Sequence, residues 1–474
     1  MKQLPLQCIT GWCDQRPGRL ILGCCVALLI VTACSDATDQ APEQQTLQAA
    51  LVDSTVTPEP HVNELETQPP EKLTEQITGT ATELTQGQSN NPEPRDGLIN
   101  SRSDLRDLAA QYRAGNQPML DNTEQLLAVA NKEWSFPTLT TEFAGTSAQG
   151  SVYDKSCSPV NQPAEGGFLP DMGQHLYAKV LAYWFTDDEL YAESARRILV
   201  ELAASSGYRE VAGEVTYSAA NQCALELSWL VPLVIETALL IEGWDGWNSL
   251  DRQAMESWLA NTVYPVTAAI SRTRKNNWGA AAAFASWSIA HYLQSSRLPL
   301  VEIFPVEQVL EPADASQQHI DQQLAIMGND WEGDSRCDQY GIQNHGGIPD
   351  ELRRGSAGCD GTALLEADRA LDYQITHAGS LVFHAEALSR HGNNELYDYT
   401  LPNGFPAVLQ TVLFVVDNPT GTSFDWKPAN LGVLRLLNAR YNSGVLCEQL
   451  GKGRYFAEGR YLPYTRLTHP DSCL

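Results

Sequence analysis

LYAKVLAYWFTDDELYAESARRILVELAAS, residues Leu176 to Ser205, reads as two helical runs with a stop between them. Leu176–Trp184 and Leu190–Ser205 each return apolar side chains at intervals of three and four, the period of a helix with one buried face. Thr186-Asp187-Asp188-Glu189 between them has the form of a capping box, in which a hydroxyl and a carboxylate satisfy the free N–H groups of a new helix. The same grammar extends outward. Cys223–Ile241 is apolar nearly all round and predicts an inner, buried helix. Gly279–Leu293 is packed with Ala and Ser, as expected where helices approach closely, and Ala378–Arg390 is an amphipathic run with Gly392 as its C-cap. Only Gly404–Val416, apolar and partly β-branched, stays ambiguous between helix and strand. Helical pairs on short loops over more than 300 residues predict an all-α domain at 99–474. The architecture expected is an α/α toroid, an incomplete (α/α) barrel around a central cleft.

The chain has 474 residues and a formal net charge of −27. So acidic a protein is a poor partner for nucleic acid, which selects broad basic surfaces. A locally basic cleft for an anionic polysaccharide remains compatible with that charge. At the start, Lys2, Arg16 and Arg19 precede a 14-residue apolar stretch, Leu20–Ala33, too short to span a bilayer. It ends in Val31-Thr32-Ala33-Cys34, which resembles a bacterial lipobox, so residues 1–33 are expected to be a lipoprotein signal and Cys34 the lipidated residue. Ser35 favours the outer membrane, in the periplasm or at the cell surface. Residues 34–98 are expected to form a disordered acidic tether, rich in Gln, Glu, Thr, Pro and Asp.

Beyond Cys34 the cysteines are Cys157, Cys223, Cys337, Cys359, Cys447 and Cys473. An even number in an exported domain points to disulfides, with Cys337–Cys359 and Cys447–Cys473 the preferred pairs. No CxxC pair is present, so no zinc site is expected, and nothing in the sequence implies a cofactor.

Two stretches carry a family resemblance: Lys275-Asn276-Asn277-Trp278-Gly279, and Gly346-Gly347-Ile348-Pro349-Asp350-Glu351-Leu352-Arg353-Arg354-Gly355 followed by Ala370-Leu371-Asp372-Tyr373. Together they resemble the Asn-Asn-His and Pro-x-Glu-Leu-x-Arg…Tyr motifs of the alginate lyase superfamily, over about Ala164 to Tyr399. The resemblance implies a polysaccharide lyase that cleaves a uronic-acid polymer by β-elimination. In that chemistry the C5 proton is removed and the O4-linked sugar leaves, so the uronate carboxylate must be neutralised as charge develops. Asn277, with Asn276, would contact that carboxylate. Arg354 would hold it, or favour a tyrosinate beside it. Tyr373 would be the acid and base. Lys275 and Arg274 lie next to the Asn pair and would meet the polyanion.

Two departures from the family pattern stand out. Trp278 occupies the motif His position, and Ser356–Arg369 is inserted between the motif Arg and Tyr. His345 is the candidate replacement imidazole; His377, four residues beyond Tyr373, shares its helical face. Trp278 would serve instead as a sugar-stacking platform. His291 and His384 sit in apolar runs and read as structural. Two rival classes remain: a glycoside hydrolase using Glu332 with Asp334 or Asp350 with Glu351, and a non-catalytic glycan-binding lipoprotein.

Overall fold

The polar face of each helical run has to reach water while its apolar stripe does not, and the chain solves this by stacking helices in two layers. The computed structural model describes residues 93–132, 168–204, 222–302, 307–328, 336–364, 369–418, 428–452 and 463–469. All belong to a unit spanning Gly87–Leu474. The signal, Cys34, most of the tether, Cys157, Cys473 and the Glu332 and Asp334 carboxylates lie outside the described residues.

The helices are α1 (Arg102–Arg113), α2 (Gln117–Ala130), α3 (Phe168–Thr186), α4 (Glu189–Ala203), α5 (Gln222–Leu240), α6 (Ser249–Trp258), α7 (Tyr264–Thr273) and α8 (Asn277–Leu293). There follow α9 (Pro312–Gly328), α10 (Pro349–Arg354), α11 (Ala370–Arg390), α12 (Glu395–Asp398), α13 (Ala407–Asp417), α14 (Pro428–Tyr441), α15 (Gly444–Lys452) and α16 (Thr465–Thr468). Strands β1 (Leu300–Glu302) and β2 (Gln308–Leu310) pair antiparallel, with Val301 opposite Val309. No described helix is long and apolar enough to cross a membrane.

An inner layer runs α3, α5, α8, α11, α14, each packed on the next, while α4, α7, α9, α13 and α15 cover it from outside. α8 is its centre: every residue but His291 is buried, as its Ala-rich sequence requires. The start of α8 lies so close to the preceding chain that a Cβ on Gly279 would stand 1.7 Å from the Arg274 carbonyl oxygen. The expected inner helix is also found, with Ala224–Ile241 buried throughout α5.

Three expectations change. The cap before α4 is Asp188, whose carboxylate accepts from the Leu190 N–H at 3.0 Å; Thr186 ends α3 and returns its hydroxyl to the Ala182 carbonyl. The ambiguous stretch is helical from Ala407 to Asp417, because its apolar face packs on α11, and packing outweighs the strand preference of Val. Third, residues before 99 are already bonded to the helical domain. The Arg95 guanidinium grips Glu242 and donates to the Tyr292 carbonyl at 2.7 Å. Glu236, wholly buried, accepts from the backbone N–H groups of Ile99 and Asn100.

Candidate active site

Asn276 and Asn277 divide two tasks that one Asn could not do together. Asn276 is the N-cap of α8, its Oδ1 accepting from the Trp278 N–H at 3.1 Å. Asn277 is thereby released from capping. Its backbone N–H donates to Glu351 Oε1 at 2.5 Å and its Oδ1 accepts from Arg354 Nη1 at 2.7 Å. Arginine has only donors, so the amide face toward Arg354 must be the oxygen. Asn277 Nδ2 consequently faces away and makes no hydrogen bond among the described residues.

Glu351, fully buried in α10, is the hub. Oε1 also accepts from His377 Nδ1 at 2.9 Å, and Oε2 from Arg354 Nη1 at 3.1 Å. A buried carboxylate needs such partners to offset its lost hydration. Arg354 spends Nη1 on Asn277 and Glu351, and its side chain, 24% exposed, keeps its other donors for an incoming anion. The guanidinium lies 4.7 Å from the centre of the Tyr373 ring. Tyr373 is half-buried, and its hydroxyl has no hydrogen-bond partner among the described residues. Three predicted residues from three helices, Asn277, Arg354 and Tyr373, are therefore brought together.

The insertion does not disturb this meeting. A Cβ on Gly355 would lie 2.2 Å from Ala370 Cα, so the chain leaves α10 and re-enters at α11 at almost one point. The excursion between is pinned by the expected Cys337–Cys359 disulfide. Of the other preferred pair, Cys473 lies outside the described residues.

Other candidates take different places. Trp278 is not a platform: it is 7% exposed and part of the hydrophobic core, with the Arg274 guanidinium 5.7 Å from its ring. So buried an indole has no open face for a sugar. The Lys275 ammonium stands 3.3 Å from the centre of the Tyr340 ring, and Arg272 is neutralised by Glu302 at 3.0 Å. His345 is not joined to Asn277, Arg354 or Tyr373 by any hydrogen bond. Its Nδ1 accepts from the Gly347 N–H at 3.0 Å and its ring lies tilted against Phe414, 5.3 Å between centres, which turns it toward α13. There it lines a separate cavity of about 400 Å³ with Asp360, Thr362 and Asn418.

Asp350 and Glu351 are unsuited to hydrolysis, since both are buried and salt-bridged, to Arg353 and Arg354. His291 and His384 are structural as expected: burial pushes each down to about 3, neutral in the fold. Among the described residues no group of His, Cys, Asp and Glu is arranged to hold a metal ion. Sequence reasoning missed Glu351 as the common acceptor. Its spacing to Arg354 was visible, but its links to Asn277 and His377, 74 and 26 residues away, were not.

The helical architecture has counterparts among solved structures. An alginate lyase from Bacteroides ovatus aligns over 79% of this chain and 99% of its own, with a TM-score of 0.53 and 16% identity. A tyrosine-to-phenylalanine variant of alginate lyase A1-III, from Sphingomonas species A1, complexed with a tetrasaccharide, aligns over 81% and 97%, with a TM-score of 0.54 and 16% identity. The apo form of a histidine-to-alanine variant of A1-III aligns over 80% and 96%, at 0.51 and 15%. No family model and no curated protein sequence matches the chain. The chain thus shares the fold of these alginate lyases.

Proposed function

We propose that the protein is a polysaccharide lyase that cleaves a uronic-acid polymer, alginate or a related polyuronate, by β-elimination. One observation carries the reading: an amide donor on Asn277 and a hydroxyl on Tyr373, both without a hydrogen-bond partner among the described residues, share one site with an Arg354 guanidinium that has donors to spare. A uronate carboxylate placed against Asn277 Nδ2 and Arg354 meets two donors. Those donors strengthen as the C5–H bond breaks and charge moves onto the carboxylate. Tyr373, acting as its phenolate beside the Arg354 guanidinium, takes the C5 proton, the C4–O4 bond breaks as the C4=C5 double bond forms, and the same proton passes from Tyr373 to O4. The shared fold supports the same class of chemistry on an anionic polysaccharide.

Burial and pairing of Asp350 and Glu351 remove that carboxylate pair as a route to hydrolysis. The full chain, incubated with a panel of uronate polymers, is expected to generate ultraviolet absorbance from the new double bond. Tyr373→Phe should lower turnover about 10²–10⁴-fold with the fold intact. Near-normal turnover in that variant defeats the assignment. Binding of a polymer without any unsaturated product replaces the lyase with a glycan-binding protein.

A further inference from the structure

The insertion between Arg354 and Tyr373 forms one wall of the cavity that holds His345. Its residues Asp360, Thr362 and Leu364 line that space of about 400 Å³ together with His345, Phe414 and Asn418. Sites for small ligands run from about 300 to 1,000 Å³, so the volume is that of a ligand pocket at the small end. The wall is well fastened. The Cys337–Cys359 disulfide holds the residue just before Asp360, and the Leu364 N–H donates to the Gly361 carbonyl at 3.1 Å. A Cβ on Gly361 would lie 3.4 Å from Leu352 Cδ1 and 4.0 Å from the Phe414 ring, so the wall rests on α10 and α13.

This cavity is distinct from the meeting of Asn277, Arg354 and Tyr373. An α-helix turns by about 100° per residue, so Leu352 and Arg354 leave α10 on nearly opposite sides. Leu352 meets the insertion, whereas Arg354 meets Asn277. Among the described residues no lysine or arginine lines the cavity.

Its polar atoms have a defined sense. His345 is exposed, and its Nδ1 accepts from the Gly347 N–H, so in the neutral ring Nε2 carries the hydrogen. That Nε2–H makes no hydrogen bond among the described residues. The Thr362 N–H and hydroxyl donate to Asp360 Oδ1 at 3.1 and 2.9 Å, which leaves Thr362 Oγ1 and Asp360 Oδ2 as acceptors. The Thr362 N–H, and then its hydroxyl, hold the Asp360 carboxyl below the usual carboxylate range, so it is an anion at neutral pH. Phe414 and Leu364 add apolar surface. One donor and two acceptors beside apolar carbon suit a group that both gives and takes hydrogen bonds. Sugar hydroxyls do both, while the C–H face of the ring covers the apolar side chains. A uronate carboxylate only accepts, and here it would meet the Asp360 charge with no cation to relieve it.

We infer that this cavity is a second carbohydrate site, one that takes a neutral, hydroxyl-bearing sugar and refuses a uronate. The site goes beyond the lyase reading. It is read by binding alone, so either can fail without the other.

The test is electrophoresis of the full chain through native gels carrying a soluble β-glucan, galactomannan or xyloglucan, or alginate. Thr362→Trp places an indole in the cavity, and Thr362 is bonded to none of Asn277, Arg354 and Tyr373. Asp360→Trp fills the space from two positions away should the first variant not fold. The parent protein is expected to be retarded by at least one neutral polymer. The filled variant should lose that retardation while keeping the parent's mobility in alginate and its unfolding temperature. Retardation by a neutral polymer that survives filling places the sugar elsewhere and overturns the site. So does a parent protein that none of the neutral polymers retards. Loss of alginate retardation on filling overturns the refusal of uronates and makes the cavity part of the polyuronate cleft.

Discussion

Gly355→Ala tests the junction on which the site depends. Gly355 has φ −86°, a conformation open to any residue, so backbone strain does not enter. The cost is contact. An added methyl would stand 2.2 Å from Ala370 Cα, 2.3 Å from its nitrogen and 2.8 Å from its Cβ, all within the backbone or first atom of a buried helix start. Ordinary carbon contacts are about 3.5–4.0 Å, so α10 and α11 must part by roughly 1 Å or more. Overpacking of that kind costs about 1–3 kcal/mol. The same displacement separates Arg354, at the end of α10, from Tyr373, in the first turn of α11. Misplacement by about 1 Å can cost some 10²-fold in rate. The variant should therefore lose about 1–3 kcal/mol in urea unfolding and, separately, about 100-fold in turnover on the best polyuronate. Gly444→Ala, with nothing within 4 Å of the added carbon, is the matched control and should change neither. A Gly355→Ala protein with unchanged stability and rate would refute the argument that the two helices meet at this point.

Acid should weaken the fold before it reaches the carboxylates. His291, His319 and His384 are each held down to about 3 from 6.5, chiefly by desolvation, so the unfolded chain takes up protons that the folded one refuses. Stability is then whole above about pH 6.5 and falls as pH drops toward 3, by about 2 kcal/mol per histidine at pH 5. The buried Glu236 carboxyl, raised by desolvation, opposes this in part. A urea midpoint unchanged between pH 7 and pH 5 would contradict it. Replacing Cys337 and Cys359 together by Ser opens a loop of 22 residues and should cost about 3 kcal/mol on unfolding, read against the parent protein without reductant. For the proposed lipid anchor, Cys34→Ser should move the protein from the membrane to the soluble fraction; equal partition of the two forms counts against lipidation.

Where burial is total, the sequence was easy to read. An apolar run such as Ala224–Ile241 has no exposed side to complicate its pattern, and the Ala and Ser of α8 announce close packing by their size alone. Boundaries were harder. Thr186 and Asp188 are both good caps, and only the geometry of α3 decides that the hydroxyl turns back to Ala182. Val412, Val415 and Val416 favour a strand locally, yet α13 forms because α11 offers its apolar side. At the site, the motif resemblance pointed to Asn277, Arg354 and Tyr373, because short motifs keep their order and spacing along the chain. Trp278 and His345 were misplaced because their roles depend on direction, and direction is set by neighbours remote in sequence. Glu351 was invisible for the same reason: a carboxylate next to Arg looks like a surface pair until the chain brings Asn277 and His377 to it.

The fastening of the first described residues has a mechanical meaning. Arg95 holds Glu242 and the Tyr292 carbonyl, Asn100 holds Glu236, and Arg102 holds the Leu239 and Glu242 carbonyls. A tug on the chain ahead of Glu93 meets these attachments in turn, and nearly all of them end on the C-terminal half of one inner helix or the turn after it. Like the strain relief on a cable, they divert the load onto the inner layer by the first residue of α1. Of the attachments named, the one that reaches α8 holds its last turn, at Tyr292, the end opposite Asn277.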